Sequence, residues 1–232
     1  MQLENRHVVI TGGTGALGRA VVARLARAGA QCHIPNYDAA ELGDFDTEQA
    51  NVHITTGIDL TDEQSVVRYY GDLPAVWASV QLVGGFAMAP LLETTLADFD
   101  RMWRMNVATA FLCTREAVRR IRETGAGGRI VNTAARPALT PTAGMIAYAT
   151  TKAAVGALTQ HVAAETRDEP QPILVNAIAP SLFDTPANRA AMPTADHSAW
   201  PTPDQIADMV AYLVSAQNVL TSGAIVPVYG RQ

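Results

Sequence analysis

The chain has 232 residues, a formal net charge of −5, and is 48% hydrophobic and 17% charged. That apolar share excludes a disordered chain, no apolar run nears the roughly 18 residues a membrane-spanning helix needs, and the mild acidity argues against nucleic acid as a partner. The polar start Met1-Gln2-Leu3-Glu4-Asn5-Arg6 is no signal peptide, and Cys32 and Cys113 are too few for a disulfide scaffold, so a single cytoplasmic domain over 1–232 with buried reduced thiols is expected, away from membranes.

In chain order, the apolar run from Arg6 to Thr11 reads as a buried strand that stops at Gly12-Gly13-Thr14-Gly15. Ala16 to Ala28 carries Leu17, Val21 and Leu25 at helical spacing and closes at Gly29. Gln31–Pro35 and Val52–Ile58 read as strands, followed by a helix over Thr61–Tyr70 with Thr61 as its N-cap. Val76–Val83 is a fourth strand ending in Gly84-Gly85. A long helix over Leu96–Glu123 is opened by Thr95 with Asp98 three residues on. Arg129–Thr133, Ile173–Ala179 and Ala224–Val228 are the remaining strands, Ala143–Arg167 is a helix, and Thr202-Pro203-Asp204-Gln205 is a capping box opening a helix to Ser215. Ser181–Pro201 lacks periodicity and reads as an irregular lid. Alternating strands and helices, with strands apolar throughout, predict an α/β fold: a Rossmann-type doubly wound, seven-stranded, mostly parallel sheet with helices on both faces.

In such sheets ligands sit beyond the carboxyl ends of the strands. Thr11-Gly12-Gly13-Thr14-Gly15-Ala16-Leu17-Gly18 lies between the first strand and first helix, where glycines let the backbone approach a pyrophosphate and the helix N-terminus holds it. Gly12, Thr14, Gly15, Ala16, Leu17 and Gly18 are therefore nucleotide-binding candidates, and the absence of a following Gly-Lys-Ser/Thr excludes a P-loop. The end of the second strand, where an acidic residue would take the ribose hydroxyls, is Asn36. With no Arg nearby in sequence to receive a 2′-phosphate, NAD(H) is slightly preferred over NADP(H).

The 17 basic residues are 16 Arg and one Lys, Lys152. It lies four residues after Tyr148, so on a helix both share one face. A neighbouring ammonium is expected to lower the Tyr pKa and tune the phenol for acid–base work. No pattern of metal ligands is present, and His7, His33, His53 and His161 lack partner spacing. His197 and the Arg115, Arg119, Arg122 stripe read as surface, Asn188 and Arg189 equally as caps, ion pairs or substrate contacts, and Trp200 as packed under the lid.

Thr11–Gly18, Asp59-Leu60, Asn106, Tyr148 with Lys152, and Asn176–Thr185 together resemble the short-chain dehydrogenase/reductase superfamily over essentially the whole chain. The resemblance implies a nicotinamide-dependent oxidoreductase in which Tyr148 supplies a proton, Lys152 orients ribose, and Asn106 holds a relay water. It also implies that Asp59 and Leu60 flank the adenine and that Thr185 contacts the carboxamide, with Gly84, Gly85 and Pro180 lining the cofactor. Three departures stand out: Gln81-Leu82-Val83-Gly84 for Asn-Asn-Ala-Gly, Pro180-Ser181 for Pro-Gly, and Ala135 at the catalytic Ser position, thirteen residues before Tyr148. Within Thr133-Ala134-Ala135 only Thr133 offers a hydroxyl.

The dihydropteridine reductase branch is similar in Val83-Gly84-Gly85-Phe86, Thr142–Ile146 and Asp184–Pro193, and that branch also lacks the Ser. Hydride transfer to a C=N or C=O carbon of a small molecule is thus expected, without metal. The alternatives are an ordinary ketone or alcohol dehydrogenase, and a nucleotide-sensing protein that kept the fold and weakened its catalysis. Apolar residues on several sides of the two long helices, including Phe111, Leu112, Val155 and Leu158, predict a homodimer or homotetramer.

Overall fold

A computed structural model describes residues 3–43, 45 and 49–231; Met1 and Gln2 of the polar start lie outside the described residues. Seven strands form one sheet: β1 (His7–Thr11), β2 (Gln31–Pro35), β3 (Val52–Thr55), β4 (Val76–Gln81), β5 (Gly128–Thr133), β6 (Ile173–Pro180) and β7 (Ile225–Val228). Their order is β3-β2-β1-β4-β5-β6-β7, and every pairing is parallel, so the sheet is wholly rather than mostly parallel. The winding reverses between β1 and β4, which opens a crevice at their carboxyl ends.

The strands read as unbroken apolar runs because helices cover both faces. On one face α1 (Ala16–Ala26) and α8 (Pro203–Val214) pack together over Val8, Ile10 and Val80, burying Val21, Leu25, Ile206 and Val210. On the other, α2 (Glu63–Gly71) and α4 (Thr109–Thr124) cover Val9, Val76 and Ile130 with Tyr70, Leu112 and Ile121. Each such side chain, fully buried, contributes about 1.5–3 kcal/mol.

Several boundaries differ from the sequence expectation. The cap of α2 is Asp62, not Thr61: its carboxylate accepts from the N–H groups of Gln64 and Ser65, while the Thr61 hydroxyl donates to Asp59. The third strand stops at Thr55, before Gly57 at φ 78°. The long helix is interrupted: α3 (Leu96–Met102), opened by the Thr95/Asp98 capping box, passes through a π-helical segment, Trp103–Ala108, into α4. The 181–201 segment is not wholly irregular. Thr185 caps a short helix α7 (Pro186–Ala191), whose first residue is proline, and Asp184 pairs bidentately with Arg189 at 2.5 and 2.6 Å. A short helix α5 (Arg136–Leu139) precedes α6 (Ile146–Glu165), which starts three residues later than the periodicity suggests.

Cover for the long helices also needs correction. Leu112 and Val155 are buried within the chain, by packing across α4, α6 and the sheet, whereas Phe111 and Trp103 are each 46% exposed.

On the α2 side, in the amino-terminal half of β1–β3, three histidines meet. His7 Nδ1 lies 2.8 Å from His33 Nε2, and the His33 and His53 rings stack at 5.0 Å. Burial, then the neighbouring His53 and His7, push the His33 imidazole down to about 4. No sequence spacing signals this group, because its partners are on different strands. Nearby, the Trp77 indole carries Arg6 at 4.0 Å and Arg129 at 5.0 Å, and donates to Val214 O at 2.8 Å.

Candidate functional site

Two adjoining clefts occupy the crevice, sharing Gly12. One, of about 350 Å³, runs from Gly15, Ala16, Leu17 and Gly18 past Gly84 and Gly85 to Tyr148, Lys152 and Pro180. The other, of about 390 Å³, is lined by Thr14, Asn36, Tyr37, Asp59 and Leu60. Every residue singled out for nucleotide binding lines one of these clefts, except Thr185. Its hydroxyl accepts from Asn188 N–H at 3.1 Å as the α7 cap, and it does not reach the cleft wall.

The glycines have steric reasons. Gly12 sits at φ 67°, and a Cβ there would lie 3.1 Å from Val83 N; a Cβ on Gly18 would collide with Gly12 O at 2.0 Å. The turn therefore folds tightly onto α1. Gly15, the N-cap of α1, supplies no side chain, and the first turn has no acidic residue, so its N–H groups remain open to an anion. A Cβ on Gly84 would lie 2.6 Å from Asn106 Oδ1 and 2.9 Å from Lys152 Nζ.

Those contacts define the floor of the first cleft. Asn106, in the π-helical segment, is buried; its Oδ1 accepts from Gly85 N–H at 2.9 Å, and its Nδ2 donates to Gly85 O at 3.2 Å and Thr151 Oγ1 at 3.0 Å. The side-chain amide thus clamps the loop after β4, and both its N–H groups are occupied. Lys152 Nζ donates to Thr133 O at 2.9 Å, on the last residue of β5, two residues before the missing serine. Burial lowers the Lys152 ammonium to about 8 and raises the Tyr148 phenol to about 12. The lowering of the phenol anticipated from its neighbour does not accompany this: burial alone sets the direction, and the phenol keeps its proton at neutral pH.

Ala135 lines the same cleft, buried, with only a methyl to offer. The Thr133 hydroxyl does not substitute for a serine, since it donates to Gln81 O at 2.7 Å. Phe86 meets Tyr148 edge to face at 5.0 Å, and Phe86 and Phe183 supply aromatic walls to this cleft. Both went unassigned in the sequence, although the Val83-Gly84-Gly85-Phe86 motif had drawn attention to the first.

In the second cleft Asn36 accepts from the Thr14 hydroxyl at 3.3 Å and donates to Asp38 O at 2.6 Å. The Arg19 guanidinium donates to Thr14 O and Leu42 O at 2.8 and 3.0 Å. In the lid Asn188 donates to Phe183 O at 2.8 Å, and His197, half-buried, packs on a buried Trp200 at 4.5 Å. Among the described residues, no cluster of three or more His, Cys, Asp or Glu could hold a metal ion, and no helix is long and apolar enough to cross a membrane.

The profile of the short chain dehydrogenase family matches residues 6–196. The chain belongs to that family. It is accordingly an oxidoreductase that depends on a nicotinamide nucleotide, on the Rossmann-type fold described above. The enzyme is similar to a sorbitol dehydrogenase of Cereibacter sphaeroides, 30% identical over 79% of this chain and 73% of the relative. It is 26% identical to an L-xylulose reductase of Bos taurus over 99% of this chain and 97% of that one. A solved short chain dehydrogenase/reductase family protein superposes with a TM-score of 0.89 at 26% identity, covering 99% of this chain and 98% of the other.

The clefts fit such a nucleotide. The first-turn amides of α1 carry no side-chain cap, and Gly12, Gly18 and Gly84 are held so close to their neighbours that a Cβ at any of them would force the turn or the loop after β4 to shift.

Proposed function

We propose that the enzyme reduces a C=N or C=O bond in a flat, conjugated small molecule, with quinonoid dihydropterins as the reference class, and that it favours NAD(H) over NADP(H). The observation that carries this reading is Ala135. A simple ketone's developing oxyanion calls for two preorganised donors, and loss of one costs roughly 10²–10³ in rate. With Ala135 a methyl and the Thr133 hydroxyl held by Gln81, Tyr148 is the sole hydroxyl of this set facing the cleft. Substrates that need less polarisation suit such a site, and the Phe86 edge against Tyr148 favours a planar one.

Gly15 to Gly18, Gly84, Gly85 and Pro180 would hold the pyrophosphate and nicotinamide side of the nucleotide, and Thr14, Asn36, Asp59 and Leu60 its adenosine. When bound, the nucleotide supplies the hydride. Tyr148, protonated at its phenol oxygen, delivers the proton to the substrate heteroatom. Lys152, tethered to Thr133 O, presents its remaining N–H groups to ribose and phenol. Asn106 acts through Gly85, holding the loop after β4 at the height the cleft requires. Preference for NAD(H) draws support from the second cleft, where the neighbouring Arg19 guanidinium is engaged with Thr14 O and Leu42 O, and Asp59 lies in the wall. The exposed Trp103 and Phe111 support a homodimer or homotetramer through the π segment and α4.

The test is initial rates of NADH and NADPH oxidation over a panel of quinonoid dihydropterin, quinones, cyclic imines and simple ketones. Faster NADH oxidation with the conjugated members is expected. Turnover confined to simple ketones or alcohols would overturn the substrate class, and binding of nucleotide without turnover would return the chain to a sensing role.

A further inference from the structure

Lys152 is the one lysine of the chain, so it carries the only ε-amine. It lines the 350 Å³ cleft, and the structure shows for it one hydrogen bond, to Thr133 O, and no carboxylate partner among the described residues. At the other end of the same cleft, the N–H groups at the start of the eleven-residue α1 carry neither a side-chain cap nor an acidic neighbour. Between them the wall carries the apolar Leu82, Ala134, Ala135, Phe86 and Phe183, together with the hydroxyl residues Thr133, Tyr148 and Ser181.

We propose that, free of nucleotide, this cleft captures phosphorylated aldehydes: the phosphate at the N-terminus of α1, the carbonyl carbon as an imine on Lys152. The Nζ lone pair attacks the carbonyl carbon, a proton passes from nitrogen to the former carbonyl oxygen, and loss of water leaves C=N. No electron donor or acceptor is consumed. Burial assists the step, because holding the ammonium near 8 instead of 10.5 raises the neutral fraction at pH 7 by on the order of 10²-fold. An anion at a helix N-terminus gains a modest stabilisation, greater where partly buried, which selects a phosphorylated over a neutral aldehyde. The consequence is a dead-end form of the enzyme that only carbonyl compounds of this shape can induce.

The experiment uses the full chain and pyridoxal 5′-phosphate, with borohydride trapping, intact mass and peptide mapping. One adduct per chain, mapped to Lys152, is expected, with labelling that rises with pH around a midpoint near 8 and runs several-fold slower with pyridoxal, which lacks the phosphate. Lys152→Met should lose the adduct; should that variant fold poorly, the wild-type peptide map alone decides. Labelling confined to the α-amine, no adduct, or equal rates for the two aldehydes would overturn the proposal. NADH should protect Lys152, an arm that rests on the nucleotide placement above. Labelling at Lys152 without protection by either nucleotide would uphold the imine site and break that placement.

Discussion

Buried ionisable groups with displaced pKa values lie at both ends of the sheet, and Lys152 with Tyr148 at one end differ from His33 at the other in whether they face a cleft. At the carboxyl ends, Lys152 and Tyr148 are moved to about 8 and about 12, and both face a cleft that leads to an open helix N-terminus. In the amino-terminal half of β1–β3, His33 is moved to about 4, but its ring is closed in by His7 and His53. Desolvation favours the neutral form of each group. What differs is whether a hydrogen-bonding position remains for something from outside: the lysine has donors left over, whereas the inner histidine meets two other rings.

Substitutions can break or sharpen this contrast. Tyr148→Phe should cost roughly 10²–10⁴ in kcat/KM, with thermal stability retained, since the proton source is removed and the ring stays. Lys152→Arg should cost at least about 10² by the same assay, because the broad guanidinium cannot take the place of an ammonium between Gly84 and Thr133 O. Near-wild-type turnover in either variant would remove the cleft from consideration.

The histidine region should answer in stability instead. His33 has a folded-state pKa below its unfolded one, so between about pH 6.5 and 4 the unfolded chain binds more protons. Stability is then present above that window and falls as pH drops through it, by up to about 3 kcal/mol. Chemical denaturation at pH 7 and pH 4.5 should show this loss, and His33→Gln should flatten it while leaving kcat/KM within about twofold, as expected of a residue distant from the chemistry. A change in turnover would place the histidines in the mechanism after all.

Ala135→Ser should raise activity on simple ketones by about tenfold or more, a fraction of what a full oxyanion donor supplies, with little change on a conjugated substrate. An unchanged ketone rate would mean that residue 135 does not face the reacting carbonyl. Asn36→Asp should have the smallest effect, a several-fold rise in the NADH/NADPH ratio of kcat/KM. It also loses the donor to Asp38 O, at about 1 kcal/mol of stability. No change in the ratio would remove Asn36 from the ribose site.

The sheet and the glycine turn were legible in the sequence because both rest on local pattern: apolar runs, helical spacing, and Gly12, Gly15 and Gly18 before α1. What escaped depends on contacts across the fold. The break at Trp103–Ala108 coincides with Asn106 binding Gly85, twenty-one residues away in sequence. Tyr148's raised pKa reflects burial that no helix pattern reveals. The His7–His33–His53 stack needs strand register, and the Thr133 hydroxyl could be dismissed as a serine substitute only once its bond to Gln81 was seen. Resemblance to the dihydropteridine branch lay in loop segments, where the relatives described above leave the substrate open.

The packing of α8 on α1 bears on how the chain is made. Residues 203–214 cover the face of 16–26 and receive the Trp77 indole N–H at Val214 O. On a ribosome, β1–β4 and their helices emerge long before that cover exists. Val21, Leu25 and the apolar side of the early strands must then wait, exposed, through more than half of synthesis. The nascent enzyme therefore presents apolar stretches until α8 is made, and arrest of translation before residue 203 should yield an aggregating fragment rather than a working nucleotide-binding half.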